Sequence, residues 1–100
     1  MNSQIGIDQK KIAGFCRQHR IRKLSLFGSV LQQGFRPDSD VDMLVEFEHG
    51  VIVGLISLAG MEIELSKIIG RKVDLRTPAE LSRYFREEVL RSAEVHYAQG

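Results

Sequence analysis

At 100 residues, with 43% hydrophobic and 27% charged side chains, the chain has the size and composition of one small globular domain, residues 1–100. Its 14 basic and 13 acidic residues leave a formal net charge of +1, which argues against a nucleic-acid binder relying on a broad phosphate-neutralising surface. No apolar run approaches the roughly 20 residues needed to span a membrane; the N-terminus lacks a basic-then-apolar leader pattern; and the single cysteine, Cys16, excludes an internal disulfide and fits a reducing cytoplasm.

The first predicted element is a helix over about residues 9–19, capped by Asp8, with Ile12, Phe15 and Cys16 as its core stripe. Cys16 is read as a small core residue rather than a nucleophile. The basic run Arg17, His19, Arg20, Arg22 and Lys23 complements the dipole at the C-terminal end of that helix. A strand follows over about 23–28, then an irregular segment from Gly28 to Ser39 and a second strand over 41–47. Glu48-His49-Gly50 turns the chain toward a long helix over about 53–69. Leu55, Leu58, Met61, Leu65, Ile68 and Ile69 stand there at helical spacing, and Gly70 is the C-cap. The apolar Val51-Ile52-Val53 is either an interface or the buried start of this helix. A third strand over 72–76 ends at Thr77, which caps a helix opening on Pro78. Leu81, Phe85, Val89 and Ala93 share one face of that helix, which is predicted to run to about Tyr97. The order α-β-β-α-β-α predicts an α+β two-layer sandwich: a small mixed three-stranded sheet with helices on one face and the other face open.

Chemistry concentrates between the first two strands. Ten residues, Val30 to Ser39, separate Gly28-Ser29 from Asp40-Val41-Asp42. Side chains alternate faces along a strand, so Asp40 and Asp42 point one way and Val41, Met43, Val45 and Phe47 the other. Two carboxylates on one face, roughly 6.6 Å apart along the strand, can bracket two Mg²⁺ ions about 3.5–4 Å apart. The Gly-Ser turn offers backbone N–H groups and a hydroxyl to phosphate. Taken alone, Asp-x-Asp also suits the turn sequence Arg36-Pro37-Asp38-Ser39. Asp42, however, lies inside an apolar strand, where a buried carboxylate is costly unless paired or metal-bound. The third strand adds Asp74, with Val73 and Leu75 on the opposite face. Either Asp74 joins the polar face of Asp42 and completes a carboxylate trio, or it pairs with Arg76 or Lys72 at the sheet edge.

Other chemistries find no support. His19, His49 and His96 lack ligand spacing, and one cysteine builds no structural zinc site. A Walker-type phosphate loop is missing, Ser29 has no nucleophile elbow, and the acidic spacing is not that of an EF-hand.

Leu26-Phe27-Gly28-Ser29, then Arg36 to Phe47, then Lys72-Val73-Asp74-Leu75, resemble the minimal nucleotidyltransferases of the DNA polymerase beta superfamily, over about residues 8–97. The resemblance implies a palm-like core that uses two Mg²⁺ ions to transfer a nucleoside monophosphate from an NTP, ATP being the expected donor. It implies Asp40 and Asp42 as bridging metal ligands, and Asp74 as the carboxylate serving the acceptor hydroxyl. Gly28 and Ser29 would hold the triphosphate. Relatives often carry an arginine just after the serine; this chain has Val30-Leu31-Gln32-Gln33-Gly34, leaving Arg36 as the cation to substitute. Small family members resemble the antitoxin half of a toxin–antitoxin pair, which implies a helical HEPN-type ribonuclease as partner and a partner hydroxyl as acceptor, within a homo- or hetero-oligomer. The alternative is a non-catalytic module that neutralises a helical partner by occlusion.

Overall fold

The computed structural model describes residues 7–28 and 40–99. Helix α1 (Gln9–Gln18) starts at Asp8, whose Oδ1 accepts hydrogen bonds from the Lys10 and Lys11 N–H groups at 3.0 and 3.3 Å. These satisfy two of the donors that a helix N-terminus leaves unpaired. Ile12, Phe15 and Cys16 are its buried face. Burial pushes the Cys16 thiol up to about 12, so it remains a neutral packing group.

Strands β1 (Ile21–Phe27) and β2 (Val41–Phe47) pair antiparallel, with Leu26 opposite Met43 and Phe27 opposite Asp42. Helix α2 (Leu55–Ile69) ends at Gly70, whose positive φ of 79° stops the helix while its N–H still reaches Ser66. The chain then returns as β3 (Val73–Arg76), parallel to β2, with Val41 opposite Val73 and Asp42 opposite Asp74. This parallel return uses α2 as its crossover. The outward N–H groups of Val73 and Leu75 are taken by Ser66 Oγ at 2.9 Å and Glu62 Oε2 at 2.7 Å, so side chains of α2 close that sheet edge.

The C-terminal segment departs from expectation. Rather than one helix to Tyr97, the chain forms a 3-10 turn (Pro78–Glu80), an extended Leu81, helix α3 (Arg83–Ser92) capped by Ser82, and strand β4 (Glu94–Ala98). The sheet thus has four strands in the order β3-β2-β1-β4, not three. Strand β4 pairs antiparallel with β1, Leu24 opposite Tyr97 and Ser25 opposite Val95 across a register shift. It gives the free edge of β1 a hydrogen-bonded partner, which a continued helix could not do. His96, bonded to Glu94 at 2.7 Å and within 3.2 Å of Gln9 Nε2, ties the strand back to α1.

The helices also lie on both faces of the sheet, where one face was expected to stay open. The larger core joins Ile12, Phe15, Met61 and Leu65 to Leu24, Leu26, Val41, Met43, Val45, Val73 and Leu75. By strand alternation Phe27 and Leu44 face the other way, and they pack with Leu81 and Val89. Leu44 is the reason: an apolar side chain between Asp42 and Glu46 on their own face needs a cover, and the 3-10 turn and α3 supply it.

Candidate active site

Three chain segments meet at one end of the sheet. Strand β1 ends at Phe27-Gly28, β2 begins beyond Asp40, and β3 carries Asp74 beside Asp42. Asp42 and Asp74 are register partners on adjacent strands, so their Cα atoms stand about 4.8 Å apart with both side chains on the face of Leu44. Of the three carboxylates expected to converge, the register sets Asp42 beside Asp74.

Gly28 is fitted to Asp42. Its φ is +77°, and a Cβ built there would lie 2.5 Å from Asp42 Oδ2. Any other residue must push that carboxylate aside. The backbone therefore approaches the acid more closely than a side chain would allow. Phe27 packs edge-on against Phe85 of α3, ring centroids 6.4 Å apart, which steadies the end of β1.

Electrostatics single out Asp42. Burial raises its pKa above the ordinary carboxylate value; the charge of Asp74 raises it further, Arg76 opposes, and Asp40 adds to the rise. Asp74 is bonded by Arg76 Nη2 at 3.2 Å, and that bond raises the guanidinium's own pKa. Asp40 is half-exposed, its Oδ2 3.8 Å from Lys72 Nζ. Both readings of Asp74 are thus realised at once: it shares the face of Asp42 and pairs with Arg76, which sits two residues on along the same strand. The pairing of Lys72 with Asp40 was not anticipated; it crosses from one strand start to another and leaves no local signal. Ser29 and Arg36, expected beside the triphosphate, lie outside the described residues.

Asp40, Asp42 and Asp74 offer oxygen donors only, the set that hard divalent cations take. Among the described residues no three His, Cys, Asp or Glu side chains are placed to hold one ion; Asp40 and Asp74 are paired instead with Lys72 and Arg76. By its chemistry the set suits a hard divalent cation: burial first, and the charge of Asp74 next, raise the pKa of Asp42, and an added cation would offset both. No helix among the described residues is long and apolar enough to cross a membrane.

The site is thus a mixed sheet with Gly28 against Asp42 and with Asp74 in register beside it. A family model of the nucleotidyltransferase domain matches residues 9–96, and the chain belongs to that family, as an enzyme of the minimal nucleotidyltransferase type. It is 35% identical over 71 residues to the protein adenylyltransferase MntA of Thermococcus cleftensis, covering 71% of this chain and 70% of the relative. Over 85 residues it is 29% identical to MJ0435 of Methanocaldococcus jannaschii, a candidate protein adenylyltransferase, covering 85% and 89%. A crystal structure of a toxin–antitoxin pair with AMP-PNP shares the fold, with a TM-score of 0.74 at 20% identity over 93% of this chain and 75% of that one. So does a Shewanella oneidensis complex of a tri-AMPylated HEPN toxin with its MNT antitoxin, with a TM-score of 0.66 at 19% identity over 91% and 70%.

Proposed function

We propose that this chain works as one minimal domain in the cytoplasm, transferring the adenylyl group of ATP to a hydroxyl of a HEPN-type partner toxin for which it is the antitoxin. The observation that carries the reading is the seating of Gly28 against Asp42, with Asp74 in register beside it. Support for the donor and partner comes from the relatives: MntA is a protein adenylyltransferase, and the structural neighbours include a complex with AMP-PNP and one with an AMPylated HEPN toxin.

In this reading the acceptor oxygen attacks the α-phosphorus of ATP. The new O–P bond forms as the bond from that phosphorus to the bridging oxygen breaks, and pyrophosphate leaves with the electron pair. The acceptor's proton passes to the Asp74 carboxylate, which Arg76 holds in orientation. Asp40, Asp42 and Asp74 are the residues that would hold the metal. Two Mg²⁺ ions, when bound, lower the acceptor's pKa and neutralise charge on the departing pyrophosphate. Gly28 lets the triphosphate approach the backbone beside Asp42, with Ser29 and Arg36 as its further contacts. Positioning and charge stabilisation are most of the work, and effective molarities make such positioning worth several orders of magnitude.

The test incubates the protein with Mg²⁺, α-labelled ATP and lysate from its source, with Asp42→Asn in parallel. Label is expected on one discrete protein with the native chain and none with the variant. Equal labelling by a folded Asp42→Asn protein would remove the assignment.

A further inference from the structure

One aromatic ring on the carboxylate face of the sheet is left half-open. Helix α3 follows the 3-10 turn after β3 and delivers the chain into β4, so in a sheet ordered β3-β2-β1-β4 it crosses the face of β2 and β1. Phe85 and Val89 stand four residues apart on one side of that helix. Val89 is buried with Phe27 and Leu44, at 4% exposure, whereas Phe85 keeps 47% of its surface accessible. A single exposed apolar side chain is ordinary on a protein surface. What sets Phe85 apart is where it stands.

Its ring packs edge-on against Phe27, with centroids 6.4 Å apart. Phe27 is both the residue before Gly28 and the register partner of Asp42. Strand alternation and register put Phe27, Asp42, Leu44 and Asp74 on one face, and that is the face α3 covers. The accessible part of Phe85 is thus one ring away from the glycine that abuts Asp42. An aromatic face in that place suits a flat π system as its partner. Of the two substrates in the transfer reading, the nucleotide brings one, on the sugar that carries its triphosphate. The contact with Phe27 also sets the ring on the Gly28 side of the site, on β1, whereas the acid assigned to the acceptor stands on β3.

We propose that Phe85 is the platform on which the base of the donor nucleotide stacks, a substrate-binding residue set on α3 rather than on the strands. The proposal rests on the nucleotidyl-transfer reading, which places the triphosphate at Gly28. Stacking reads the π-face of a base and not its hydrogen-bonding edge. Phe85 therefore supplies affinity for a purine without choosing between adenine and guanine, and it favours either over the smaller face of a pyrimidine. Removing one base–aromatic stack should weaken binding by roughly five- to hundredfold.

The test titrates the full chain and its Phe85→Leu variant, by calorimetry with Mg²⁺ present, with ATP, GTP, CTP and inorganic tripolyphosphate. Leucine is a good helix former and keeps an apolar cover on Phe27, so the variant is expected to fold, as circular dichroism would verify. ATP and GTP are expected to weaken by that factor in Phe85→Leu, CTP by less, and tripolyphosphate not at all. Phe85→Trp is expected to retain ATP affinity. The chain has no tryptophan of its own, so this variant also carries a single reporter, whose fluorescence ATP should quench and tripolyphosphate should not. Leu90→Ala, another partly exposed apolar position of α3, is the control and should leave ATP affinity unchanged. Equal weakening of ATP and tripolyphosphate in Phe85→Leu would make Phe85 a support for Phe27 and overturn the proposal. Undiminished ATP binding by that variant, an unquenched Phe85→Trp, or the same loss in Leu90→Ala would each overturn it too. A native chain that binds neither ATP nor tripolyphosphate would refute the transfer reading itself, and the platform with it; binding of both, unchanged in Phe85→Leu, would remove the platform alone.

Discussion

Replacing Gly28 by alanine should separate two costs that this position combines. An alanine at φ +77° carries a left-handed backbone penalty of about 1–2 kcal/mol. For a domain of this size that lowers Tm by roughly 4–8 °C per kcal/mol. The added Cβ would also stand 2.5 Å from Asp42 Oδ2, against about 3.4 Å for an ordinary contact, so the carboxylate must yield by about 0.9 Å. A misplacement near 1 Å in a positioned catalytic group lowers rate by about 100-fold. The control is Gly70→Ala, where φ is +79° and nothing lies within 4 Å of the new Cβ. It should show the same thermal loss by circular dichroism and unchanged adenylyl transfer, both variants being assayed at a temperature where each is folded. If Gly28→Ala lowers Tm as Gly70→Ala does but retains full transfer, the approach of Gly28 to Asp42 has no catalytic consequence and the reasoning fails.

Asp42→Asn should abolish transfer while stabilising the metal-free protein by about 0.5–2 kcal/mol at pH 7, the usual gain from relieving a strained functional group. The sign follows from the raised pKa of Asp42: the folded state holds its proton more tightly than the unfolded one, so native stability falls as pH rises above the ordinary value of 3.8. Urea melts should therefore show the variant's advantage shrinking toward about pH 3.5, and a constant advantage would contradict it. Arg76→Ala removes the charge that, among the described residues, opposes this rise, so the acid limb of the pH–rate profile should move to higher pH; an unmoved limb would place Arg76 outside the site's field. Ser66→Ala should cost about 1–2 kcal/mol in denaturant melts by leaving the Val73 N–H without its partner. Glu62→Gln should cost less, since an amide oxygen can still accept from Leu75.

The acid pair was legible because two strands each state their faces in full. Val41, Met43 and Val45 alternate with Asp42, and Val73 and Leu75 alternate with Asp74; once β2 and β3 adjoin, the two acids share a face, and parallel register sets them side by side. Gly28 was legible as the residue closing the first strand's apolar run, but its contact with Asp42 depends on Phe27 lying opposite Asp42, a relation across strands that no local window contains. The C-terminal stretch misled for a physical reason. Leu81, Val89 and Ala93 do gather in one apolar cluster, so the helical stripe was sound as a statement about burial. It says nothing of where the helix stops, because Ala93 turns extended in response to an unpaired edge on β1, some seventy residues away in sequence. That same cluster explains why the sheet's acidic face is only partly open. Leu44 draws Leu81 and Val89 over the middle of the sheet, and Asp42 and Asp74 stay half-buried beside them.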